Sequence, residues 1–471
     1  MFNNEAFMTR IGFSGCLLLL FAFLGMAQES HLRPLTLREA MQNALKNNAQ
    51  VRAAEAAVEQ AEGASLSARG MMLPEISLSA RVTRINDPLE INLDPIRSAM
   101  IGLHSPPLGA LPAAALDTLL PPFKMRVQDK LFYNAAISVQ WPIFTGGRVW
   151  SGYKAASENV DARKADLAGT RNSVGVEACS RYLTLRLTDE LVFLQEQTRN
   201  TLSDHVDKAR KLQEGGQIAL AERLRAEVAL AEAERDLEDA MRDRSLARLA
   251  LSNTIGGDTL IQPVTALNDA EAPADLENLK KRAHENYPGL RRLAIESSRA
   301  GRSVTASRGE WFPVVALFGR RELYTKDLTL LDPAWAVGVN LQWDIFQGGQ
   351  TAGKVQAAKS LQRNVTLQSE KAMADIDLLV EKRWRELEHA HGRLLSLDKT
   401  GELAEESLRA QQLAFDSGLA TSLDVVDAQL SLARLRMARL KAKYDAGMAL
   451  AGLLEATGEI EKISEMLEVN P

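Results

Sequence analysis

A segment that occurs twice limits the possible folds most strongly. Residues Tyr133–Gly147 (YNAAISVQWPIFTGG) and Trp335–Gly349 (WAVGVNLQWDIFQGG) align without a gap. In both copies apolar residues alternate with polar or small residues. Because successive side chains of a β-strand point to opposite faces, each copy predicts a strand with one apolar face.

Aromatic residues bracket the apolar face of each copy. They are Tyr133 and Trp141 in the first copy, and Trp335 and Trp343 in the second. About eight residues of tilted strand rise roughly 20 Å, close to the ~25 Å apolar band between the aromatic girdles of outer-membrane barrels. A strand of a soluble sandwich could also alternate, but two copies with matched aromatic residues favour a transmembrane strand. We therefore predict that these four residues form an aromatic girdle.

Composition and the N-terminus indicate an exported protein. The chain has 471 residues, a net charge of -5 and 25% charged residues, which does not favour polyanion binding. The apolar run Ile11–Met26 predicts a signal peptide at residues 1–27, cleaved after Ala27. Lipidation at Cys16 is not favoured, because the apolar run follows this cysteine. Cys179 then remains alone and cannot form an internal disulfide, and no later segment has 18 consecutive apolar residues.

The first half of the mature chain predicts a helix, a strand, a long loop, the duplicated strand and two long helices. The expected bounds of these elements are Leu35–Arg69, Ile76–Thr83, Asn86–Asp129, Tyr133–Phe144, Arg148–Gln213 and Ala219–Thr254. Thr36 and Glu39 have the spacing of a capping box at the start of the first helix. A helix over Arg148–Gln213 would be about 100 Å long.

The second half repeats this order, with another long helix over Gln350–Phe415. Pro74 matches Pro313 at an offset of 239 residues, whereas Trp141 matches Trp343 at an offset of 202. The difference of 37 residues is the extra length of the first inter-strand loop. These offsets predict an internal duplication. The predicted signal peptide, first repeat, second repeat and C-terminal tail are residues 1–27, 28–257, 258–458 and 459–471.

Four short strands per chain have a consequence for assembly. An open sheet edge is not tolerated in lipid, and known barrels need at least about eight strands. One copy cannot close a barrel, so the chain is expected to oligomerise. The long helices must then pack side by side as a tube attached to the barrel.

From Leu35 to about Gly458, these features resemble the TolC-like family of outer-membrane efflux proteins, including both strand–Gly-Gly junctions and both hairpin tips. The resemblance implies a mixed α+β membrane protein that forms a trimer. Its 12-stranded transmembrane β-barrel, with four strands per chain, would continue into a long periplasmic α-helical coiled tunnel. The long loop Asn86–Asp129 would then lie outside the cell.

The same resemblance implies a location in the outer membrane of a Gram-negative bacterium. The function it implies is the outer-membrane channel of a tripartite efflux or type I secretion system. Cargo would pass from an inner-membrane pump and a periplasmic adaptor protein to the outside. The expected partners are therefore two further copies of the chain, the adaptor, the pump and outer-membrane lipid, with no nucleic acid.

Acidic residues near the second hairpin tip are the candidate channel entrance. The resemblance implies that Asp424 and Asp427 ring the periplasmic opening, and Glu222 has the corresponding position in the first repeat. In a trimer each residue would occur three times around a narrow opening, and the resulting negative field would favour cations. The alternative is that these carboxylates only complement the helix dipole.

The hairpin tips would lie farthest from the barrel, where an adaptor arriving from the inner membrane would meet the tube. The predicted docking residues at the tips are Gly216, Gly418, Leu419 and Thr421. The chain departs from the family at Phe415 and Ala420, where the best-studied member closes its entrance with a Tyr and an Arg. An ion-paired lock through these two positions is therefore not expected.

No catalytic, cofactor or metal site is predicted. His389 and His391 are two residues apart, which places them on different faces of a helix, and no Walker, Rossmann or zinc-ligand spacing occurs. Two non-channel classes remain as alternatives. A periplasmic adaptor has one helical hairpin per chain with soluble β-domains, and a structural coiled-coil protein would not need aromatic-bracketed strands.

Overall fold

The computed structural model describes residues 32–103, 121–257, 261–270, 273, 275–325 and 333–468. The predicted signal peptide, Cys16 and the middle of the long loop lie outside these residues. The α-helices of the described part are α1 Leu37–Asn47, α2 Ala49–Gly70, α3 Asp94–Gly102, α4 Arg148–Glu214, α5 Leu220–Ile255, α6 Leu276–Asn286, α7 Pro288–Gly309, α8 Gln350–Asp416, α9 Ser422–Ala456 and α10 Ile463–Glu468. The strands are β1 Arg33–Leu35, β2 Glu75–Arg84, β3 Leu89–Asn92, β4 Lys124–Gln128, β5 Leu131–Phe144, β6 Ile261–Pro263, β7 Val314–Thr325 and β8 Trp335–Gln342.

Two long helical hairpins dominate the structure. The first is α4 with α5 and the second is α8 with α9, and both α4 and α8 have 67 residues. The helices α4, α5 and α8 begin and end within one residue of the predicted bounds. Each hairpin begins at a pair of glycines with positive φ, 63° and 78° at Gly146-Gly147 and 59° and 87° at Gly348-Gly349. Glycine adopts two successive left-handed conformations without the steric cost of a Cβ atom, so the chain can turn sharply immediately before each helix.

The four longest strands form one antiparallel sheet in the order β2-β5-β7-β8. Its two hairpins have the same register, because Glu75 lies opposite Gln140 in the first and Val314 lies opposite Gln342 in the second. These pairs are related by the two sequence offsets, 239 and 202 residues. The predicted internal duplication is therefore confirmed at the level of single residue pairs.

The apolar faces of the strands lie on one side of the sheet. Val139 is opposite Ile76 on one neighbouring strand and Gly319 on the other, and Leu317 lies between Trp141 and Val339 in the same way. The other face carries polar pairs, such as the hydroxyl oxygens of Ser77 and Ser138, which are 2.8 Å apart. The predicted alternation is thus present in the two duplicated strands, whereas β7 departs from it: Phe318 lies opposite Gln140 on the polar face, and Arg321 lies opposite Ile137 on the apolar face.

The two duplicated tryptophans make matching hydrogen bonds. The indole N–H of Trp141 donates to the carbonyl of Met72 at 3.0 Å, and that of Trp343 donates to the carbonyl of Trp311 at 3.1 Å. Each bond ties the end of one strand to the turn that precedes its partner strand. All four predicted girdle residues are exposed in the single chain. Their position in a membrane interface remains a prediction.

The main core lies around the middle of the long helices. It is closed by two segments that the sequence did not reveal. The segment between α5 and α6 contains β6, which pairs in parallel with β1, and the predicted tail forms a turn of 3-10 helix and α10, which buries Ile463 and Leu467. The predicted first helix is in fact two helices, because Asn48 leaves the helical conformation and its side chain accepts a hydrogen bond from Gln50 N. In the described part of the chain, no helix combines the length and hydrophobicity that crossing a membrane requires.

Tyr182 joins three segments of this core. Its fully buried hydroxyl donates to the Leu35 carbonyl and accepts from the Thr265 N–H, both at 2.8 Å. We expect Tyr182→Phe to lower the free energy of unfolding by about 1–3 kcal/mol, because the buried Thr265 N–H loses its partner and the Leu35 carbonyl keeps only its hydrogen bond from the Val264 N–H. Urea unfolding followed by circular dichroism would measure this. Tyr444→Phe is the control, because that hydroxyl is only partly buried and its Thr184 partner is 3.3 Å away; equal losses for both variants would contradict the role of Tyr182.

Candidate functional site

The two hairpin tips have the same backbone geometry. Gly216 and Gly418 have φ values of 72° and 71°. Gln217 N donates to the Leu212 carbonyl in the first tip, and Leu419 N donates to the Ala414 carbonyl in the second, both at 2.8 Å. Nothing lies within 4 Å of the place where a Cβ atom on either glycine would be, so both turns face open space in the single chain.

The tips differ in how the following helix begins. Thr421 and Asp424 form a capping box at the start of α9: Asp424 N donates to Thr421 Oγ1 at 3.3 Å, and Thr421 N donates to Asp424 Oδ2 at 2.8 Å. Ala219, at the equivalent place before α5, has no side chain that could cap the helix. The first turn of α9, at the second tip, is therefore capped more completely than the first turn of α5, at the first tip.

The first hairpin holds the second tip at three points, which we call the tip contact: His205 with Ser422 and Phe415, Glu222 with Ser422, and Lys208 with Asp416. His205 is buried, with its Nε2 atom 2.8 Å from Ser422 Oγ and its ring centroid 5.1 Å from that of Phe415.

The other two points of the tip contact involve charge. Glu222 Oε2 accepts a hydrogen bond from Ser422 N at 3.0 Å, and Lys208 forms an ion pair with Asp416. The Glu222 carboxylate therefore satisfies a backbone N–H at the positive end of α9, from a different hairpin. All three points join the first hairpin to the second.

Burial is the main reason why the pKa of His205 is lowered, and the nearby Lys208 ammonium acts in the same direction. The hydrogen bond with Ser422 and the Asp416 carboxylate oppose this shift. The neutral imidazole is therefore the form that the folded tip contact favours at neutral pH.

The structure brings the predicted entrance residues to one place. Glu222, Asp424 and Asp427 all lie at the first turns of α5 or α9, and Asp424 and Asp427 are exposed. Hydrogen bonds from Thr421 lower the pKa of Asp424, so its carboxylate is ionised at neutral pH. The three side chains can supply negative charge at the hairpin tips, while Asp424 and Glu222 also satisfy backbone groups.

The predicted docking residues lie at the same end and are exposed, and 85% of the surface of Leu419 is accessible. The girdle residues lie at the opposite end, in the sheet. Sequence reasoning missed His205 and Lys208, although the departure at Phe415 and Ala420 indicated that the tip is held differently from the family's best-studied member. His391 contacts Asp269, and among the described residues no group of three or more His, Cys, Asp or Glu side chains could hold a metal ion.

Lowering the pH from about 7.5 to about 5.5 should loosen the tip contact. The neutral His205 ring stabilises the tip contact fully above the ordinary histidine pKa. This stabilisation is lost as the pH falls below that value, because the folded state favours the neutral ring. Protonation would also place a positive charge near Lys208. Hydrogen–deuterium exchange of a peptide over residues 405–425, corrected for the intrinsic effect of pH, should therefore increase at the lower pH.

The control for this measurement is His205→Gln, which keeps a hydrogen-bonding side chain but cannot titrate in this range. Exchange in this variant should be independent of pH after correction. A peptide over residues 376–394, in the middle of α8, should show no change in either protein. A pH response of the same size in wild type and His205→Gln would rule out the histidine as its source.

Comparison with known proteins identifies related chains. Residues 40–257 and 279–459 match the family model described as "Outer membrane efflux protein". Outer membrane efflux protein BepC of Brucella suis is 22% identical over 352 residues, 69% of this chain and 72% of the relative. Cobalt-zinc-cadmium resistance protein CzcC of Cupriavidus metallidurans is 26% identical over 337 residues, 67% of this chain and 76% of the relative.

Solved structures share the fold. The structure of CusC, a protein that forms a transmembrane channel, superimposes with a TM-score of 0.74 at 15% identity over 89% of this chain and 91% of CusC. The family match consists of two segments, which are separated by residues 258–278.

Proposed function

The chain belongs to the outer membrane efflux protein family and is an outer-membrane efflux channel with a periplasmic helical tunnel; we propose that it works as a trimer that receives cargo from an inner-membrane pump through a periplasmic adaptor protein. Such an assembly would serve tripartite efflux or type I secretion. The signal peptide at residues 1–27 and the repeats at 28–257 and 258–458 are part of this proposal.

The observation that carries the proposal is that in both repeats a strand of the sheet leads through a double glycine into a long helix. A four-stranded sheet with one apolar face continues through Gly146-Gly147 and Gly348-Gly349 into helices of 67 residues. Such helices reach about 100 Å from the sheet at 1.5 Å per residue. Copies arranged around one axis would line a continuous path from the hairpin tips to the far side of the sheet, with outer-membrane lipid around the apolar face.

The acidic residues at the tips suit the entrance of this path. Asp424 and Asp427 lie one helical turn apart and are exposed, so their charges would face water in the opening. Glu222 would add charge from the first repeat while it holds the start of α9. In a trimer these carboxylates would attract cations and disfavour anions.

Combining Asp424→Asn with Asp427→Asn should lower cation selectivity and weaken block by divalent cations in planar bilayers. Asparagine keeps the hydrogen-bonding capacity of the cap at position 424, so the change in charge is separated from a change in fold. The opening is expected to be narrower than the ~10 Å Debye length at 0.1 M salt, so screening should not hide the effect. Glu402→Gln, about 20 Å along α8 from the tip, is the control; unchanged selectivity in the double variant would leave these residues with a capping role only.

The tips are also the proposed docking surface for the adaptor, through Gly216, Gly418, Leu419 and Thr421. The sharp turns leave both glycines open, and Leu419 projects an apolar side chain into solvent. Exposed leucines at the start of the helices, Leu220 and Leu423, extend this apolar surface. An adaptor with a complementary apolar tip could bury these side chains.

Leu419→Arg should abolish export while the oligomer and its conductance remain, because the side chain makes no contribution to the core. A strain that lacks the gene is complemented with each variant. Its resistance is then measured against toxic compounds to which the wild-type gene confers resistance. Leu403→Arg is a matched control, since Leu403 is 73% exposed and lies about 20 Å from the tip on α8. Full resistance with Leu419→Arg would exclude this residue from docking.

A further inference from the structure

The apolar face of the sheet carries an exposed arginine. Arg321 of β7 lies on this face between Ile137 of β5 and Trp335 of β8. The preceding residue, Arg320, lies on the polar face, where its guanidinium pairs with the Glu322 carboxylate at 2.6 Å. Within the described ranges of the chain, no carboxylate pairs with Arg321. A cation that faces lipid therefore has no protein counter-ion.

Arg321 lies near the cell-surface end of the sheet. Trp335, opposite Arg321, is the first residue of β8, whereas the double glycine and the periplasmic helix follow the last residue of this strand. An arginine that faces lipid is costly at the middle of the membrane but not at its interfaces, where the lipid headgroups lie. The exposed Trp335 indole marks such an interface, so the guanidinium is at the depth of the outer headgroups.

An apolar groove, which we call the β7 groove, begins next to this arginine. Its volume is about 540 Å³, and it is lined by apolar or aromatic side chains and by glycine. Gly319 lies at its centre on the same face as Arg321, with Val139 and Val337 on the two sides. Trp141 lines the groove towards the periplasmic end. Because residues two apart on a strand are separated by about 7 Å, Arg321 lies at the outer end of the groove.

The cation and the groove are both specific to the second hairpin. By the offset of 239 residues, Arg321 corresponds to Val82 and Gly319 corresponds to Ala80. β2 therefore has an apolar side chain where β7 has a charge, and a methyl group where β7 has the centre of the groove. A site for a ligand with one charged part and one apolar part is present on β7 and has no equivalent on β2.

We propose that Arg321 and the β7 groove bind a lipid A molecule, the membrane anchor of lipopolysaccharide, with a phosphate on the guanidinium and an acyl chain in the groove. The N–H donors of arginine form a planar fork that fits a phosphate group. The apolar groove suits a hydrocarbon chain, which gains by contact with the apolar walls. The inference rests on the proposed channel and assigns a particular lipid to its outer surface.

The order of the two features selects the leaflet. The cation lies at the outer end of the groove, so the bound lipid has its headgroup towards the cell surface and its chain towards the periplasm. Lipids of the outer leaflet have this orientation, and in a Gram-negative outer membrane they are mainly lipopolysaccharide. A phospholipid of the periplasmic leaflet has the opposite orientation and would place its phosphate near Trp141, away from Arg321.

Lipid binding to the purified oligomer of the full chain tests the site. The delipidated oligomer is titrated in detergent with lipid A, with dephosphorylated lipid A and with phosphatidylglycerol, and native mass spectrometry counts the bound molecules. Wild type should bind lipid A at least about tenfold more tightly than the dephosphorylated form, because a charge-assisted hydrogen bond is lost with the phosphate. It should also prefer lipid A to phosphatidylglycerol.

Variants of the arginine test where the phosphate binds. Arg321→Gln should lower the affinity for lipid A by at least about tenfold and should remove the preference over the dephosphorylated form. Arg321→Lys should keep part of this preference, because the charge remains. Arg81→Gln is the matched control, since Arg81 is also exposed but lies on the polar face opposite Asn134. It should bind lipid A as wild type does.

A variant of the glycine tests the groove separately. Gly319→Leu should weaken the binding of both forms of lipid A, because its side chain occupies the place of the acyl chain. A Cβ atom on Gly319 would meet the Val337 side chain at 3.5 Å, an ordinary contact distance, so the strand can carry a side chain here. Ala80→Leu, at the equivalent place in the first hairpin, is the control and should leave the affinity unchanged.

Each result supports or overturns the inference. Equal affinity of wild type for the two forms of lipid A, or equal affinity of wild type and Arg321→Gln for lipid A, would overturn the phosphate site. Tighter binding of phosphatidylglycerol than of lipid A would overturn the choice of lipid. The comparison of lipids on wild type needs no variant, so it decides the matter even if a variant fails to assemble.

Planar-bilayer conductance of the same wild-type preparation tests the channel independently. A conducting oligomer that does not distinguish the lipids would contradict only the lipid site. An oligomer that binds lipid A through Arg321 but does not conduct would contradict the proposed channel and leave the site in place.

Discussion

The architecture depends on one backbone constraint, two successive residues with positive φ between each long strand and each long helix. β5 is joined to α4 by Thr145 and Gly146-Gly147, and β8 is joined to α8 by seven residues that end in Gly348-Gly349. In both repeats the double glycine turns the chain immediately before the first residue of the helix. With this turn, the sheet determines where the helix starts, and the helix carries that position along its whole length. The sheet and the tube are therefore built from one strand–helix unit, which occurs twice in each chain.

At the far end of the long helices, the position of the second tip is determined by side-chain contacts and not by a backbone turn. The second tip is held to the first hairpin by a neutral, buried His205, by the Glu222 carboxylate on a backbone N–H and by one exposed ion pair. None of these contacts is large by itself, and together they bury little surface compared with the core around Tyr182. A region with few buried apolar contacts is one that can open while the rest stays folded. This division suits a tube whose middle must stay rigid and whose end must admit cargo.

The sequence predicted the strands and the long helices well, because their signals are local and occur twice. The alternation of apolar and polar residues, the double glycines and the absence of proline can all be recognised from neighbouring residues in the sequence. It failed where a structure depends on a distant partner. β6 has only three residues and exists because it pairs with β1, more than 200 residues away. His205 and Ser422 are 217 residues apart, and nothing near either residue indicates their contact. The break at Asn48 was hidden because the flanking alanine-rich sequence favours helix on both sides.

The unequal capping of the two tips has a consequence for any partner that binds them. A helix that starts without a capping side chain, as α5 does after Ala219, is less stable at its first turn by about 1 kcal/mol. Around a ring of alternating tips, every second one would therefore sample frayed conformations more often than its neighbours. A partner that binds the frayed tip must offset the conformational entropy lost on ordering it, whereas the tip at Thr421 is already ordered by its capping box. Equal contacts at the two kinds of tip would then give unequal affinities, so a ring with six similar tips could present three strong sites and three weak ones.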